Sequence, residues 1–537
     1  MKKKAIIKKN ILILIVKERN LNKKMSGILI HPTSFPGKYG CGDLGEGAYK
    51  IIDLLKRYGQ KILQILPLNP TGYADSPYSS FSAFAGTPYI ISFDELIEKG
   101  YLKESDLEDY PKFEPDRVDY GGIYVHNFKI LRIAYKRFIK LSPPDSYEKF
   151  CRDNGFWLND YAIFMAIKDS KNGASWDIWE EDLRLRKNLS GLSKEILDDA
   201  EFYKFLQWEF YEQWTKFKKY ANDNGIMIIG DAPIFVAYDS SDVWANQNLF
   251  HLDSNGKPTI VTGVPPDYFS KTGQLWGSPH YKWDVMIRND FDWWKKRIAH
   301  LLKLVDCIRI DHFRGFESYW EVKYGEQTAI NGRWVKAPGK ELFNSIKKEI
   351  GAERLKTAII AEDLGIITKE VEELRDYFEF PGMRIFEFAP FNKGTFTDAQ
   401  GVVQDNSKAP YLPENYIYNC VAYPGTHDND VIHGWFFSQS EKAQNDILKY
   451  LGIKNKIEWS DSLNELTLKI EEKLLNSEAK WVVFLMQDVL GLTSESRMNT
   501  PGTSGIHNWS WRLTDKMIEE KKEHLEALQK LSNKSGR

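Results

Sequence analysis

The sequence predicts an α/β protein whose centre is an eight-stranded (β/α)8 TIM barrel. Eight short runs of β-branched and other apolar residues end in turn or polar residues, and helical patterns separate most of these runs. Strands that alternate with helices indicate a parallel sheet, and a count of eight favours closure of that sheet into a barrel. The chain has 537 residues. A bare barrel needs roughly 250, so large insertions or a second domain are also required.

The elements can be assigned in order along the chain. Strands are predicted at residues 27–31, 61–68, 225–229, 307–310, 357–361, 383–388, 420–423 and 481–486. Between the first two strands, Ala48, Ile51 and Leu55 share one helical face at spacings of three and four, which predicts a βαβ unit with a helix at 46–58. Further helices are predicted at residues 292–304, 340–350, 369–378 and 463–475.

Two segments are too long to be ordinary connections within a barrel. Residues from about 70 to 224 carry helical patterns, and the aromatic side chains of 200–220 predict buried packing, so an inserted, largely helical subdomain is expected. Residues from about 233 to 286 are rich in Gly, Pro and aromatics without clear periodicity, which predicts loops over the barrel mouth. The barrel with its insertions is expected to span 25–512, followed by a helical tail at 513–537.

The N-terminal 24 residues are lysine-rich and carry one apolar run, at 11–16. This run is shorter than the core of a signal peptide, which needs roughly 7 to 15 apolar residues, and no small-residue cleavage site follows it. Met25 directly precedes the first strand. We therefore expect residues 1–24 to be a non-structural extension, and either Met1 or Met25 to be the true start.

Composition restricts the compartment and the class of partner. Lys and Arg total 73 against 75 for Asp and Glu, so the net charge of −2 favours neither nucleic acid nor an anionic membrane. No stretch approaches the roughly 18 apolar residues of a membrane span. The four cysteines are far apart, without metal-ligand spacing, which suggests a reducing compartment and hence the cytoplasm. The 17 Trp and 27 Tyr suit either sugar binding or an aromatic-rich core.

Carboxylates follow several of the predicted strands. In a barrel enzyme, catalytic side chains come from the C-terminal ends of the strands, because these ends converge on one mouth. Any single one of these acids could instead be a helix cap or a structural ion pair. Their convergence indicates a catalytic site, and the candidates are Asp231, Asp311, Glu362, Asp363, Glu387 and Asp428.

Glycoside chemistry needs one ionised carboxylate and one protonated carboxyl group on either side of the bond. Strand alternation puts Arg309 on the same side as Asp311, and its guanidinium is expected to lower the pKa of Asp311, as suits a nucleophile. A simple structural pair is the alternative. Glu362 follows an apolar strand, which is expected to raise its pKa, as suits a general acid. Because Asp363 is the next residue, its position relative to the strand does not exclude it as the side chain that points into the barrel mouth.

The sequence Thr426-His-Asp-Asn-Asp430 supplies a third acid, Asp428, which could grip sugar hydroxyls and favour the distorted ring of the transition state. His427 could share that role. The alternative is a turn rich in capping residues. No ligand cluster and no Gly-rich phosphate cradle is evident, so we expect neither a metal nor an organic cofactor.

At these residues the chain resembles the amylomaltases, or 4-α-glucanotransferases, which are related to the α-amylases. The resemblance runs from about residue 27 to 512. It rests on His31-Pro-Thr-Ser-Phe-Pro-Gly37, Leu66-Pro-Leu-Asn-Pro-Thr-Gly72, Ser76-Pro-Tyr-Ser-Ser-Phe-Ser-Ala-Phe-Ala-Gly86, Gly230-Asp-Ala-Pro-Ile-Phe-Val236, Pro265-Pro-Asp-Tyr-Phe269, Arg309-Ile-Asp-His-Phe-Arg314, Ala361-Glu-Asp-Leu-Gly365, Thr426-His-Asp-Asn-Asp430 and Arg497-Met-Asn-Thr-Pro-Gly502. The family lacks the β-sandwich that follows the barrel in α-amylases, and here only a charged helical tail follows.

The resemblance implies specific roles. Asp311 would be the nucleophile, Glu362 the acid/base and Asp428 the transition-state stabiliser, which chooses Glu362 over Asp363. Tyr78 would lie against the sugar at the cleavage site, and Trp276 would lie on a loop over the acceptor subsites. Asp231, Arg309 and His427 would contact the same sugar.

The implied activity is retaining transfer of α-1,4-glucan segments from a maltooligosaccharide or glucan donor to glucose or a maltooligosaccharide. Two alternatives stay open: an α-glucan hydrolase on the same site, and a non-catalytic α-glucan-binding barrel. The sequence does not indicate an oligomeric state.

Overall fold

The computed structural model describes residues 23–266, 270–457 and 463–537. Residues 1–22 of the expected N-terminal extension lie outside this range, as do residues 267–269 of the Pro265 to Phe269 motif. Eight parallel strands form one sheet and confirm the predicted barrel. In chain order these strands, β1 to β8, are Met25–Leu29, Ile62–Gln64, Met227–Pro233, Cys307–Asp311, Ile359–Ala361, Gly382–Ile385, Cys420–Tyr423 and Trp481–Leu485.

The strands follow one another around the sheet in chain order, and β8 pairs with β1, so Trp481 lies opposite Met25. The strands are apolar and buried because helices cover the outside while side chains fill the inside, the usual condition of a parallel sheet. The α-helices are Glu46–Arg57, Phe93–Glu98, Tyr120–Phe138, Asp145–Asp153, Gly155–Ser170, Glu181–Arg184, Lys194–Asp223, Ser241–Ala245, Trp283–Arg288, Asp292–Leu304, Gly339–Ile350, Ala352–Ala358, Lys369–Tyr377, Ile432–Ser438, Glu441–Leu451, Leu463–Leu475, Met486–Val489, Asp515–Glu520 and Lys522–Lys534.

The long segment between β2 and β3 is largely helical. Its last helix, Lys194–Asp223, begins at Ser193, whose side chain accepts a hydrogen bond from the backbone N–H of Ile196. The packing predicted for this helix is confirmed, since its aromatic stripe, including Phe210 and Trp214, is fully buried. The Trp214 indole N–H donates to the carbonyl of Leu304 at 2.8 Å, which ties the segment to a barrel helix.

A four-stranded antiparallel sheet stands beside the barrel. Its strands, in spatial order, are Gln274–Pro279, Ile260–Val264, Ser318–Lys323 and Gly332–Lys336. Two of them fall within 233–286, so the expectation of loops throughout that segment is wrong for these residues. Between β6 and β7 a short hairpin, Thr395–Thr397 and Val403–Asp405, replaces the helix.

The C-terminal residues pack against the barrel. Helix Lys522–Lys534 lies on helix Leu463–Leu475, with Leu525 and Leu528 buried. The Arg537 guanidinium donates to the carbonyls of Leu475, Ser477 and Lys480, next to the start of β8. No helix in the described part of the chain is both long and apolar enough to cross a bilayer.

The barrel closes between β5 and β6. A backbone hydrogen bond joins the N–H of Ala361 to the carbonyl of Pro381 at 2.9 Å. Asp363 reinforces this seam, because its buried carboxylate accepts from the Met383 backbone N–H at 2.6 Å and pairs with Arg375 and Arg384. The approach is close: a methyl group on Gly382 would lie 2.4 Å from an Asp363 oxygen. Asp363 therefore holds the two strands together.

We expect Asp363→Ala to lower the free energy of unfolding by about 3–5 kcal/mol, because it removes the buried carboxylate that the Arg375 and Arg384 guanidinium groups share. Urea unfolding followed by circular dichroism measures this loss. Glu373→Ala, which removes an exposed pair with Lys369 on the neighbouring helix, is the matched control and should cost less than about 1 kcal/mol. Equal effects of the two substitutions would contradict the structural role of Asp363.

Candidate active site

The candidate groups meet at the C-terminal end of the barrel. Asp231 lies in β3, Asp311 is the last residue of β4, and Glu362 directly follows β5. Asp428 lies in the loop after β7, and Tyr78 lies in the long connection after β2. Parallel strands bring these positions to one mouth, as the strand-end argument predicts.

Arg309 joins two acids on neighbouring strands. Its guanidinium donates to Asp231 Oδ2 at 2.7 Å and to Asp311 Oδ1 at 2.9 Å. The Tyr78 hydroxyl donates to the same Asp231 oxygen at 2.8 Å. Arg309 and Asp231 are buried, whereas the Asp311 side chain is 30% exposed and so remains accessible from the cleft. The expected placement of Arg309 and Asp311 on one side of the strand is confirmed.

The expected lowering of the Asp311 pKa is wrong. Burial raises the pKa of Asp311 and outweighs the opposing effect of the Arg309 charge, and the charges of Asp231 and Asp428 raise it further. The neighbouring Arg309 can be recognised in the sequence, whereas the desolvation of the cleft arises only in the folded chain.

Glu362 points toward Asp311's loop. One of its oxygens accepts from the His312 backbone N–H at 2.7 Å, and the other accepts from the Leu364 N–H at 2.8 Å. Burial, followed by the charge of Asp311, raises the pKa of Glu362 to about 8. The expected rise is confirmed, so this carboxyl group holds a proton at neutral pH. Asp363 is turned away from this carboxyl group and into the seam between β5 and β6.

The Asp428 side chain is 43% exposed, and hydrogen bonds hold both its carboxylate and its backbone carbonyl. Its Oδ1 accepts from the Asn499 amide at 2.7 Å, and its backbone carbonyl accepts from Arg497 at 2.6 Å. The His427 Nε2 lies 3.5 Å from Asp428 Oδ2. The His427 ring stacks on Tyr78, with 5.3 Å between ring centroids and 11° between planes, so the third acid and Asp231 belong to one connected site.

Trp276 lies on the edge strand Gln274–Pro279 and not on a loop, which corrects the sequence expectation. Paired on one side only, the strand leaves the Trp276 side chain 41% exposed. The indole meets the His312 ring edge to face, with centroids 4.8 Å apart. His312 has a left-handed φ of 54°, and the chain turns here between Asp311 and the helical turn that follows. Trp276 therefore contacts His312, the residue that follows Asp311 in sequence and whose backbone N–H binds Glu362.

Sequence reasoning missed the groups that position these acids. The His312 backbone N–H, Arg497 and Asn499 act through hydrogen bonds, and Trp509 packs beside Tyr78 and His427 at 5.8 and 6.0 Å. Arg497 and Asn499 belong to the Arg497 to Gly502 motif, but they do not directly follow a strand, so strand ends alone could not predict their place in the site. Glu387, which did pass that filter, packs against Gly425 and not on the Arg309 group.

The arrangement suits cleavage of a glycosidic bond. An accessible carboxylate held by Arg309, a neighbouring carboxyl group that keeps its proton and a third, exposed acid are the groups that a retaining mechanism uses. Within residues 23–266, 270–457 and 463–537, no group of three or more His, Cys, Asp and Glu side chains is arranged to hold a metal ion.

Comparison with known proteins identifies the family. The family described as 4-alpha-glucanotransferase matches residues 30–518. The chain is 45% identical to a 4-alpha-glucanotransferase of Synechocystis over 92% of this chain and 94% of the relative. It is also 45% identical to a 4-alpha-glucanotransferase of Clostridium butyricum, over 91% of this chain and 96% of that relative. An amylomaltase from Streptococcus agalactiae, solved in complex with acarbose, superposes with a TM-score of 0.87 at 37% identity, covering 96% of this chain and 100% of that one. The chain belongs to the 4-alpha-glucanotransferase family.

Proposed function

We propose that the chain transfers segments of a 1,4-α-glucan to the 4-hydroxyl group of glucose or a maltooligosaccharide, by a retaining double displacement. The observation that carries this proposal is the pair of unlike carboxyl groups: Asp311 held by Arg309, and Glu362 protonated beside it. Maltooligosaccharides and α-1,4-glucans are the proposed donors. The four free cysteines, three of them buried, support a reducing compartment such as the cytoplasm.

In the first step, Asp311 attacks the anomeric carbon of the donor sugar while Glu362 gives its proton to the leaving 4-oxygen. The C–O bond to the leaving chain breaks, and a glycosyl ester with Asp311 forms. Arg309 holds the ionised form of Asp311 for this attack. Burial keeps Glu362 protonated until the leaving oxygen needs its proton.

In the second step, the 4-hydroxyl group of the acceptor attacks the anomeric carbon and gives its proton to Glu362. The ester bond breaks, and the Asp311 carboxylate is restored. Asp428, held by Asn499, is placed to accept hydroxyl hydrogens of the distorted sugar ring. We assign Tyr78, Asp231 and His427 to the same sugar, because they form one hydrogen-bonded and stacked group with Arg309.

Water in place of the acceptor would give hydrolysis. Trp276 favours transfer in our proposal, because an exposed indole over the turn at His312 offers a flat apolar face for an acceptor sugar and displaces water from the ester. A bound acceptor then has a large effective concentration over solvent.

Incubation with maltotriose tests the function. We expect glucose and a ladder of longer chains to form while the number of reducing ends stays constant, because each cleaved bond is replaced by a new one. Chromatography of the products and a reducing-end assay measure the two quantities. Reducing ends that rise with each cleavage would favour the hydrolase, and unchanged maltotriose would favour a non-catalytic barrel.

The roles of Asp311 and Glu362 can be separated with α-maltosyl fluoride, whose fluoride leaves without protonation. We expect Glu362→Gln to accumulate a maltosyl ester on Asp311, because it lacks the base for the second step, and Asp311→Asn to form none. Intact mass and peptide mapping detect the ester. On maltotriose, both variants should lose roughly 10³-fold or more in kcat.

The matched control for Glu362→Gln is Asp363→Asn, which alters the adjacent carboxyl group in the seam. Assayed where circular dichroism shows it folded, it should keep turnover within a few-fold of the unaltered chain. An ester formed by Asp311→Asn would exclude Asp311 as the nucleophile.

The pH dependence follows from the raised pKa of Glu362. The acid must be protonated to act, so kcat/KM should fall as the pH rises through about 8. On the acid side, kcat/KM should fall as Asp311 becomes protonated, at a pH above the usual range of an aspartate because its pKa is raised. A profile measured on maltotriose that stays flat from pH 7 to pH 10 would contradict the role of Glu362.

Trp276→Ala should raise the ratio of hydrolysis to transfer several-fold, because water gains access to the ester once the acceptor face is removed. The ratio is measured as reducing ends formed per maltotriose consumed. Leu275→Ala is the matched control, since Leu275 is 39% exposed on the opposite side of the same edge strand. The same change in both variants would indicate a general disturbance of the strand.

A further inference from the structure

A second cleft lies outside the catalytic site. It has a volume of about 180 Å³ and is formed by helices Gly155–Ser170, Ser241–Ala245 and Asp292–Leu304 together with Ser82 and Phe84. None of the groups assigned above to the catalytic site lines it. We call it the lateral cleft.

Aromatic side chains form one part of the lateral cleft. Phe84 and Trp157 are buried and their rings are nearly parallel, with 13° between the ring planes and 6.3 Å between centroids. Phe156 meets Phe84 edge to face at 5.5 Å and is 44% exposed, unusually open for a phenylalanine. The Lys296 ammonium group lies 5.7 Å from the Phe156 ring centroid. The cleft thus offers an accessible aromatic ring backed by rigid packing.

The charges in the polar part of the cleft are largely compensated, and the buried Asp242 carboxyl group accepts a backbone hydrogen bond. Asp292 pairs with Lys296 at 2.6 Å, and Asp160 pairs with Arg186 at 2.6 Å, so these carboxylates are already compensated. Three asparagines complete the lining with amide donors and acceptors: Asn246, Asn248 and Asn289. Such a lining does not select an ion. It suits a neutral ligand with apolar faces and many hydroxyl groups.

The lateral cleft also has a direct connection to the segment that carries Tyr78. Asp242, which lines the cleft and is buried, accepts a hydrogen bond from the Ala83 backbone N–H at 2.7 Å. The Ser241 N–H donates to the Phe81 carbonyl at 2.8 Å. The wall of the cleft is therefore fixed to residues 76–86, the segment that places Tyr78 against Asp231.

We propose that the lateral cleft binds a glucosyl unit of an α-1,4-glucan, as a second site beside the catalytic one. The choice of ligand rests on the proposed function, since a glucan-processing enzyme meets this neutral polyol at high concentration. Phe156 supplies the stacking face, and the asparagine amides bind the hydroxyl groups. The site holds long chains near the barrel mouth and is not required for the chemistry on short ones.

Calorimetric titration of the Glu362→Gln variant with maltoheptaose tests this inference. We expect two maltoheptaose molecules per chain, and one after Phe156→Ala and Asn246→Ala are added to the same background. Tyr377→Ala is the matched control, because Tyr377 is also exposed, has a lysine over its ring and meets a neighbouring phenylalanine edge to face. It should leave the stoichiometry at two. An unchanged stoichiometry in the Phe156→Ala, Asn246→Ala variant overturns the proposal.

A kinetic measurement separates this inference from the proposed function. In the otherwise unaltered enzyme, Phe156→Ala should leave kcat/KM for maltotriose within about two-fold and raise KM for long amylose several-fold. Equal KM values for amylose in the unaltered enzyme and in Phe156→Ala would overturn the proposed glucan binding by the lateral cleft, while the proposed transfer activity would stand. Absence of maltotriose turnover would instead contradict the proposed function, and the calorimetric stoichiometry would still decide whether the cleft binds glucan.

Discussion

The buried guanidinium of Arg309 is the constraint on which the site depends. A charge removed from water must be compensated by close partners, because its desolvation costs several kcal/mol. The register of the sheet supplies them: Arg309 lies directly opposite Asp231 on β3, and Asp311 follows two residues later on the same face of β4. A shift of either strand by one residue would move Asp231 away from both Arg309 and Asp311. The geometry of the candidate site and the register of the sheet are therefore specified by the same ion pairs.

The same burial has different consequences for the two carboxyl groups of the proposed chemistry. It raises the pKa of Asp311 and of Glu362 alike, but only Asp311 has a guanidinium within hydrogen-bonding distance. Two neighbouring carboxyl groups cannot both ionise freely, so the one beside the cation ionises first and its charge holds the proton on the other. The backbone N–H groups of His312 and Leu364 orient Glu362 without adding a full charge. The proposed nucleophile is thus distinguished from the proposed acid by its hydrogen bond with Arg309.

Periodicity and strand ends were sufficient to predict the barrel. The runs at β4, β7 and β8 are short, apolar and bounded by polar residues, and the structure confirms all eight strands. The antiparallel sheet was not predicted, because the glycines and prolines around Trp276 resemble loop sequence when the pairing partners, tens of residues away, are unknown. Edge pairing with Ile260–Val264 overrides that local signal.

For the site, the acids and the pairing of Arg309 with Asp311 could be predicted from the sequence, but the other partners of the acids and the balance of their pKa shifts could not. Asp363 and Glu362 are adjacent in sequence, and only the position of Arg375 and Arg384 reveals which one closes the barrel. Asn499 and Arg497 lie about 70 residues after Asp428 and carry no strand-end signal. The direction of the Asp311 pKa shift depends on how deeply the cleft is buried, which no local pattern contains.

The pairing of β1 with β8 has a consequence for how the chain is made. Met25–Leu29 finds its partner only when Trp481–Leu485 has been synthesised, some 450 residues later. At about 5–20 residues per second this takes roughly 20 to 90 s, during which β1 has an exposed edge beside a growing hydrophobic core. Closure of a loop this long is also slow in refolding, because contacts between distant residues must form before the barrel gains its stability. The time that β1 waits for its partner during synthesis, and the exposure to aggregation during refolding, are thus set by the topology that gathers the candidate acids.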